Sequence, residues 1–212
     1  GQSNATSSGA PGYDVSQPVF MVFEGQAYPF ADPALGGTGP GGSVWGRLGD
    51  RLVSQGTEAV FFSSAGFGGA TLQELAVPPH LEFLVAEIRA TKSALGRIDA
   101  ILIHQGERKH RALRGAGDYA GGLATLLAAI RQETDAPVYF SLATICNNQS
   151  DLELLGKQAA IIRSTPGVLR GPNTDLLSAA EERLPDGCHF SAGGLDAFAD
   201  LWVEALDAQS EE

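Results

Sequence analysis

The sequence predicts a single α/β domain with a mostly parallel sheet, and three observations favour that fold class. The chain has 212 residues, of which 43% are apolar and 18% are charged, and a domain typically takes roughly 100–200 residues. Short apolar runs rich in β-branched and aromatic residues alternate with longer stretches of helical period. Strands that alternate with helices build βαβ units, in which neighbouring strands run parallel.

Five segments are predicted to be strands. The runs that open at Ala59, Ala100 and Pro137 are almost continuously apolar, which is typical of parallel strands covered on both faces. In chain order, the five segments are Pro18–Phe23, Ala59–Ser63, Ala100–His104, Pro137–Leu142 and a weaker one near Val168–Arg170.

Five apolar stripes at helical spacing are predicted to be the helices. They lie between and after the strands, and Ser191 precedes the last of them as a predicted N-cap. In chain order, the stripes cover residues 44–52, 81–88, 123–130, 152–162 and 195–206.

The composition argues against several classes of function. The chain carries 14 Lys and Arg against 25 Asp and Glu, a formal charge of −11, whereas a nucleic-acid-binding protein needs clustered positive charge. No apolar run approaches the ~18 residues that a membrane span requires. The two cysteines and four histidines show none of the spacings typical of metal sites. We therefore expect no nucleic acid, no membrane span and no metal.

Polar segments follow the predicted strands, at the sheet edge where open parallel sheets bind ligands. Ser64–Thr71, Gln105–Glu107 and Asn147–Gln149 follow three of these strands, and Asp186–His189 precedes the last helix. An Asp three residues before a His on a turn can hold the imidazole Nδ1 and leave Nε2 free as a base. The same spacing also fits an Asp that caps a turn while the His bonds the backbone.

The chain opens with Gly1–Asn4, in which Ser3 is a candidate nucleophile if a base lies beside it. Otherwise this segment is a polar tail. Backbone N–H groups at Gly68 and Gly69, with the side chain of Gln105, are candidate donors to an oxyanion. Their alternatives are turn glycines and an amide that satisfies loop backbone.

The order of these motifs resembles the SGNH hydrolase superfamily, and within it the sialate O-acetylesterase-like branch that includes carbohydrate esterase family 6. The matching segments are Gly1–Asn4, Gly68–Thr71, His104–Glu107 and Asp186–Phe190. They extend over the whole chain. The resemblance implies a three-layer α/β/α, flavodoxin-like fold with a mostly parallel central sheet.

The resemblance also implies a role for each site residue. Ser3 would be the nucleophile, His189 the general base and then acid, and Asp186 the carboxylate that orients it. The backbone N–H groups of Ser3 and Gly68 and the side chain of Gln105 would form the oxyanion hole. Enzymes of this branch remove acetyl groups from sugar hydroxyls through an acyl-serine intermediate, so the substrate would be an acetylated carbohydrate and no cofactor or metal would be needed.

Two departures from the family pattern affect these expectations. The GGT of the family is Gly68-Gly69-Ala70 here, with Thr71 one place later, so the donor could be Gly69 instead. Arg108–His110 follow the QGE segment where Ser-Asp is usual. Their basic charge would suit an anionic sugar, or it is ordinary solvated surface charge.

No strand precedes Ser3 in the sequence, whereas enzymes of this superfamily carry the nucleophile just after a central strand. We therefore expect one domain over residues 1–212 that lacks its first central strand, with that strand upstream of Gly1. A strand supplied by another chain and a rearranged fold are the alternatives. A complete sheet built from residues 1–212 would overturn this expectation.

Cys146 and Cys188 lie in loops that belong at the same edge of the sheet. Spacing alone leaves two separate thiols possible, but a disulfide would attach the His-bearing turn to the body of the domain. We hypothesise this bridge, which fits a secreted or periplasmic enzyme.

A carbohydrate O-acetylesterase is thus the first hypothesis for function. The alternatives are a general short-chain esterase or lipase of the same fold, an acyltransferase, and a carbohydrate-binding module without turnover. The presence of Ser3, Asp186 and His189 together argues against the binding module. We make no prediction of the sugar, the acetyl position or the oligomeric state.

Overall fold

The computed structural model describes residues 1–107 and 119–208. In these residues, strands and helices alternate along most of the chain. The strands are β1 (Val19–Phe23), β2 (Gln26–Pro29), β3 (Val60–Phe62), β4 (Ile101–Ile103), β5 (Val138–Leu142) and β6 (Val168–Asn173). The helices are α1 (Trp45–Ser54), α2 (Leu72–Leu75), α3 (His80–Leu95), α4 (Tyr119–Glu133), α5 (Leu152–Ser164) and α6 (Ala192–Asp207). The five predicted strands and five predicted long helices are all confirmed.

The strands form two three-stranded sheets, in the orders β2-β1-β3 and β4-β5-β6. Every pair is parallel except β1 with β2. The α/β class with a mostly parallel sheet is therefore confirmed. The expectation of one central sheet is not met in the described residues, because β3 and β4 do not pair with each other. That a strand upstream of Gly1 belongs between them stays a prediction.

The antiparallel strand β2 was not predicted from the sequence. It follows β1 through a two-residue turn at Glu24 and Gly25, both of which have positive φ (49° and 76°). Such turns normally carry Asn-Gly or Asp-Gly, and a Glu in this conformation is uncommon. The usual turn signal is therefore missing from the sequence.

Helix ends follow ordinary capping chemistry. The predicted cap at Ser191 is confirmed, since its hydroxyl accepts a hydrogen bond from Gly194 N at 3.1 Å. Asp151 caps α5 in the same way, accepting from Leu154 N at 2.9 Å. The short helix α2, which was not predicted, begins at Thr71, where Thr71 and Glu74 form a reciprocal capping box.

The core lies on both faces of the sheets. Alternate side chains of a strand point to opposite faces, and in β5 Tyr139 joins a cluster with Trp45, Phe198 and Trp202, whereas Phe140 joins a second cluster. The first cluster is covered by α1 and α6 and the second by α3 and α4. Every residue of β5 is buried, as expected for a strand covered on both faces.

A groove separates β3 from β4. Its volume is about 600 Å³, and side chains from both sheets and from helices on both faces line it. The carboxyl ends of β3 and β4 lie at one end of this groove, next to Gly1. No helix in the described ranges is long and apolar enough to cross a membrane.

Candidate active site

Residues Gly1 and Gln2 lie between the segments that continue β3 and β4. Gly1 O accepts a hydrogen bond from Phe67 N at 3.0 Å, and Gln2 N donates to His104 O at 3.2 Å. A 3-10 turn over Ser3–Ala5 follows directly. The structure therefore places Ser3 at the carboxyl ends of the strands, buried and in a hydrogen-bonded turn rather than in a frayed tail.

The turn that carries Ser3 is fixed by Thr6. Thr6 N and Thr6 Oγ1 both donate to the carbonyl oxygen of Ser3, at 3.0 and 2.8 Å. These two hydrogen bonds hold the backbone of the turn that carries Ser3.

Asp186 and His189 form a close pair, which is one of the two arrangements that fit their spacing. His189 Nδ1 lies 2.5 Å from Asp186 Oδ2, and Asp186 Oδ1 accepts from Cys188 N and His189 N at 2.9 and 3.0 Å. Partial burial acts to raise the pKa of Asp186, but these hydrogen bonds outweigh it and the pKa is lowered. Asp186 is therefore a carboxylate at neutral pH, and it leaves Nε2 of His189 as the free ring nitrogen.

The loop with Ser3 and the loop with His189 are in direct contact. Asn4 Nδ2 donates to Cys188 O at 3.0 Å, and Ala10 N donates to Phe190 O at 2.9 Å. Among the described residues, no hydrogen bond joins Ser3 to His189. Such bonds often form only in the complex with substrate.

The three predicted oxyanion donors lie at the same edge, but two of them have acceptors within the protein. Gly68 N donates to Thr38 Oγ1 at 2.6 Å. Gln105 Nε2 lies 3.3 Å from Gln2 Oε1 and 3.4 Å from Ala70 O. An oxyanion hole that uses Gly68 and Gln105 therefore needs both groups to exchange these acceptors for the substrate. Gly69 has a positive φ of 73°, which makes it the turn glycine of this segment.

A buried carboxylate below Ser3 was not predicted as a site residue. Glu107 Oε1 accepts from Asn4 Nδ2 at 2.6 Å, and Glu107 Oε2 accepts from Gln2 Nε2 at 2.8 Å. Glu107 thus holds the two side chains that flank Ser3. Gln2, Asn4 and Glu107 all belong to segments that match the family motifs. Their spacing in the sequence does not show that their side chains meet.

Burial dominates the electrostatics around Glu107. Desolvation raises its pKa to about 7, against the opposing effects of the hydrogen bond from Asn4 and the charge of Arg183. His104, whose Nδ1 is 3.8 Å from Glu107 Oε2, is buried as well, and desolvation lowers its pKa to about 3. His104 is therefore a neutral core histidine, and its Nε2 is hydrogen-bonded with Thr174 Oγ1 at 2.9 Å.

Arg183 fixes the turn that leads to the catalytic candidates. Its guanidinium donates to Cys188 O at 2.6 Å, Leu177 O at 2.7 Å and Thr174 O at 2.8 Å. It also stacks on the ring of Phe190, 4.1 Å from the centroid. No local pattern marks this residue, because its acceptors are backbone carbonyls.

Cys146 and Cys188 form the hypothesised disulfide, with an S–S distance of 2.08 Å. The bridge joins the loop after β5 to the residue next to His189. Asn148 N donates to Gly187 O at 2.9 Å beside it. Gly187 has a φ of 62°, and a Cβ there would lie 2.4 Å from the Asn148 side chain, so this turn requires glycine.

Arg108, Lys109 and His110 lie outside the described residues. Within the described ranges, no group of His, Cys, Asp or Glu side chains is arranged to hold a metal ion.

Residues 50–207 match the model of a family described as carbohydrate esterase, sialic acid-specific acetylesterase. The chain belongs to this family. The matched residues include Gln105, Glu107, Asp186 and His189, whereas Ser3 precedes them. No curated protein sequence matches the chain.

Solved structures of similar fold include several esterases. A protein from Arabidopsis thaliana superposes with a TM-score of 0.69 at 15% identity, over 98% of this chain and 95% of that one. The psychrotrophic esterase EstA from Pseudoalteromonas sp. gives 0.57 at 12% identity, over 78% and 86% of the two chains. A carbohydrate esterase family 3 protein from Talaromyces cellulolyticus gives 0.57 at 14% identity, over 80% and 90%. At these identities the likeness concerns the fold.

Proposed function

We propose that this member of the acetylesterase family is a serine esterase that removes O-acetyl groups from carbohydrates through an acyl-serine intermediate. The observation that carries the proposal is the Asp186–His189 pair on a loop that contacts the Ser3 loop through Asn4 and Cys188. Family membership supplies the substrate class. We also propose that the chain has a three-layer α/β/α fold.

The reaction starts with proton transfer from Ser3 Oγ to His189 Nε2. Asp186 accepts the Nδ1–H of the same ring, so it holds the tautomer and stabilises the imidazolium that forms. Ser3 Oγ attacks the acetyl carbonyl, and the tetrahedral intermediate collapses when His189 returns the proton to the departing sugar oxygen. Water, activated by His189, then releases acetate and restores Ser3.

The oxyanion of each tetrahedral intermediate would be held by Ser3 N, Gly68 N and Gln105 Nε2. Thr38 Oγ1 accepts from Gly68 N, so the oxyanion would replace this hydroxyl as the acceptor of that N–H. The two contacts of Gln105 Nε2, at 3.3 and 3.4 Å, are long for hydrogen bonds. Exchanging them for an oxyanion, which binds N–H donors more strongly, is therefore favourable.

The disulfide supports an exported enzyme, since such bonds persist in oxidising compartments. We propose a secreted or periplasmic location, and an acetylated carbohydrate as the substrate, without nucleic acid or cofactor.

Acetate release by the wild type and Ser3→Ala tests the function. The substrates are a chromogenic acetyl ester, acetylated xylan and an O-acetylated sialic acid. We expect turnover to fall on the order of 10⁶-fold in Ser3→Ala. Ser8→Ala is the matched control, because Ser8 lies on the same segment and its hydroxyl approaches only Thr6 Oγ1, at 3.4 Å, among the contacts described.

The outcomes separate the alternatives. Release that persists in Ser3→Ala would mean that another group is the nucleophile. A strong preference for the simple ester would favour a general esterase, and acetyl transfer that depends on an added sugar acceptor would favour an acyltransferase. No release and no transfer, with sugar binding retained, would favour a binding module.

A further inference from the structure

Two buried polar side chains meet at the backbone of Gln105. Tyr119 is the first residue of α4 and Gln158 lies in the middle of α5, and both are almost completely buried. Neither side chain takes part in the reaction described above. Burying a polar group is costly unless it is hydrogen-bonded, so the partners of these two side chains indicate what they do.

Both side chains donate to the same backbone oxygen. Tyr119 Oη donates to Gln105 O at 3.0 Å, and Gln158 Nε2 donates to it at 3.1 Å. Gln158 Nε2 also lies 3.0 Å from Tyr119 Oη, so the two side chains hold each other. Burial raises the pKa of Tyr119, so its hydroxyl keeps the proton that it donates. The carbonyl of Gln105 therefore has two donors, one from each helix.

Gln158 replaces a backbone hydrogen-bonding partner beyond the ends of two strands. The parallel pairing of β4 with β5 ends at Ile103 and Phe140. Beyond that point Gln158 Oε1 accepts from Ala143 N at 3.0 Å, and Gln158 Nε2 donates to Ala143 O at 3.1 Å. The same carboxamide reaches the carbonyl oxygen of residue 105. It therefore joins the segments that follow β4 and β5, where the ladder between these strands has ended.

The peptide between Gln105 and Gly106 is held on its other side as well. Its N–H, which belongs to Gly106, donates to Gln2 Oε1 at 3.3 Å, and its carbonyl oxygen has the two donors just described. Gly106 has a φ of 151°, and a Cβ there would overlap Ala143 O and Gln158 Nε2. The peptide is therefore closely packed against the carboxamide and has little room to shift.

The side-chain amide of Gln105 is held less tightly than its backbone. Its Nε2 lies 3.3 Å from Gln2 Oε1 and 3.4 Å from Ala70 O, whereas the two hydrogen bonds to its carbonyl measure 3.0 and 3.1 Å. Its Oε1 has no hydrogen-bond partner among the described residues. A fixed backbone that carries a weakly bonded N–H donor is the arrangement that a preorganised oxyanion site needs.

We propose that Tyr119 and Gln158 are positioning residues for the oxyanion donor Gln105. By holding its carbonyl oxygen, they keep the Cα that carries the side chain in place while Nε2 exchanges its present acceptors for the substrate. The inference rests on the proposed esterase function, since it assigns these residues a part in stabilising the same oxyanion. Neither residue touches the reacting atoms, and both act through Gln105.

A double-mutant cycle with Gln105→Ala tests the proposal. Tyr119→Phe removes the hydroxyl and keeps the ring that packs edge-on against Phe140. We expect Tyr119→Phe alone to lower kcat about 10- to 100-fold with little change in KM, because a small misplacement of a catalytic group has effects of this size. In the Gln105→Ala background the same change should alter kcat within about twofold. The urea midpoint should fall equally in both backgrounds.

Tyr139→Phe is the matched control, because it removes another buried tyrosine hydroxyl, from the cluster on the opposite face of the sheet. It should leave kcat within about twofold of the wild type. Gln158→Glu is the second variant, since it keeps the acceptor for Ala143 N and removes the NH₂ group that reaches Gln105 O. We expect it to lower kcat with the same dependence on Gln105. An unchanged kcat in Tyr119→Phe, an equal fall with and without Gln105, or an equal effect of Tyr139→Phe would overturn the proposal.

The mobility of the Gln105 side chain is measured separately, so that this proposal and the proposed function can fail independently. NMR relaxation of its NH₂ group, assigned by the loss of its signals in Gln105→Ala, reports that mobility without any substrate. We expect the order parameter of this group to fall in Tyr119→Phe and to stay unchanged in Tyr139→Phe. If the wild type releases no acetate, the esterase function is rejected and the relaxation result alone decides whether Tyr119 positions Gln105. An unchanged order parameter in Tyr119→Phe would show that it does not.

Discussion

Two polar clusters meet at the candidate site, and they differ in exposure and in how the chain builds them. The Asp186–His189 pair has side chains 46% and 27% exposed and spans only three residues of sequence. The Glu107 cluster is almost completely buried, and its hydrogen bonds join residues more than 100 positions apart. The exposed pair can exchange protons with substrate and water, whereas the buried cluster holds loops together. The comparison separates residues that would react from residues that would position them.

The largest effect is expected from a change that alters only the reacting pair. Asp186→Asn keeps Oδ1 as an acceptor for Cys188 N and His189 N but places an NH₂ group against His189 Nδ1. We expect turnover to fall on the order of 10⁴-fold, because the wrong tautomer is favoured, while the free energy of unfolding falls by only about 1–3 kcal/mol, since the hydrogen bonds to the carboxylate are weakened. Acetate release and urea unfolding measure the two quantities. Loss of stability in proportion to activity would contradict the distinction between the clusters.

The disulfide attaches the exposed pair to the body of the domain, across a sequence separation of 42 residues. The double variant Cys146→Ser, Cys188→Ser should have a free energy of unfolding that is lower by about 2–4 kcal/mol. Its turnover should fall by a larger factor than the factor by which KM changes, since Cys188 adjoins His189. Reductant added to the wild type should reproduce both effects, and reductant added to the double variant should change neither. An unaltered unfolding midpoint would show that the bridge does not stabilise the fold.

The buried cluster should respond in stability before it responds in activity. Glu107→Gln replaces one acceptor by an NH₂ group that faces the donor of Asn4 or Gln2. Leaving a buried donor unpaired costs about 1–3 kcal/mol, so the urea midpoint should fall and turnover should fall less than in Asp186→Asn. Glu153→Gln is the matched control, because Glu153 pairs with Lys157 on an exposed helix face, where such pairs contribute about 0–1 kcal/mol.

The pH dependence of stability gives the smallest and most specific contrast. Burial raises the pKa of Glu107 to about 7 in the folded protein, above its unfolded value, so the folded state binds the extra proton between about pH 4.5 and 7. The contribution of Glu107 to stability therefore falls as pH rises through this window. The depressed pKa of His104, about 3, acts in the opposite direction below pH 6.5.

Comparison of wild type with Glu107→Gln separates the titration of Glu107 from that of His104, since the variant keeps His104, Arg183 and Asp175 near position 107. The stability difference between them should shrink or reverse from pH 4.5 to 7. A constant difference over that range would mean that Glu107 does not titrate there.

The sequence predicted the parts of the molecule that depend on local pattern. The strands and long helices follow from hydrophobic period. The Asp186–His189 pair is one of two arrangements that a spacing of three residues on a turn allows, and the family resemblance favours it. The contacts of Glu107 and Arg183 could not be predicted, because they join distant segments and, for Arg183, use backbone carbonyls that any residue carries. The acceptors of Gly68 and Gln105 were missed for the same reason, since Thr38 and Gln2 become their neighbours only in the fold.

The open edges of β3 and β4 also affect how this polypeptide behaves at high concentration. Unpaired strand edges are templates for other extended chains, and natural proteins usually protect them with charge, proline or covering segments. Here the facing residues are apolar, and Phe61 is 40% exposed beside the groove. Wherever these two edges stay unpaired, intermolecular strand pairing and aggregation are expected.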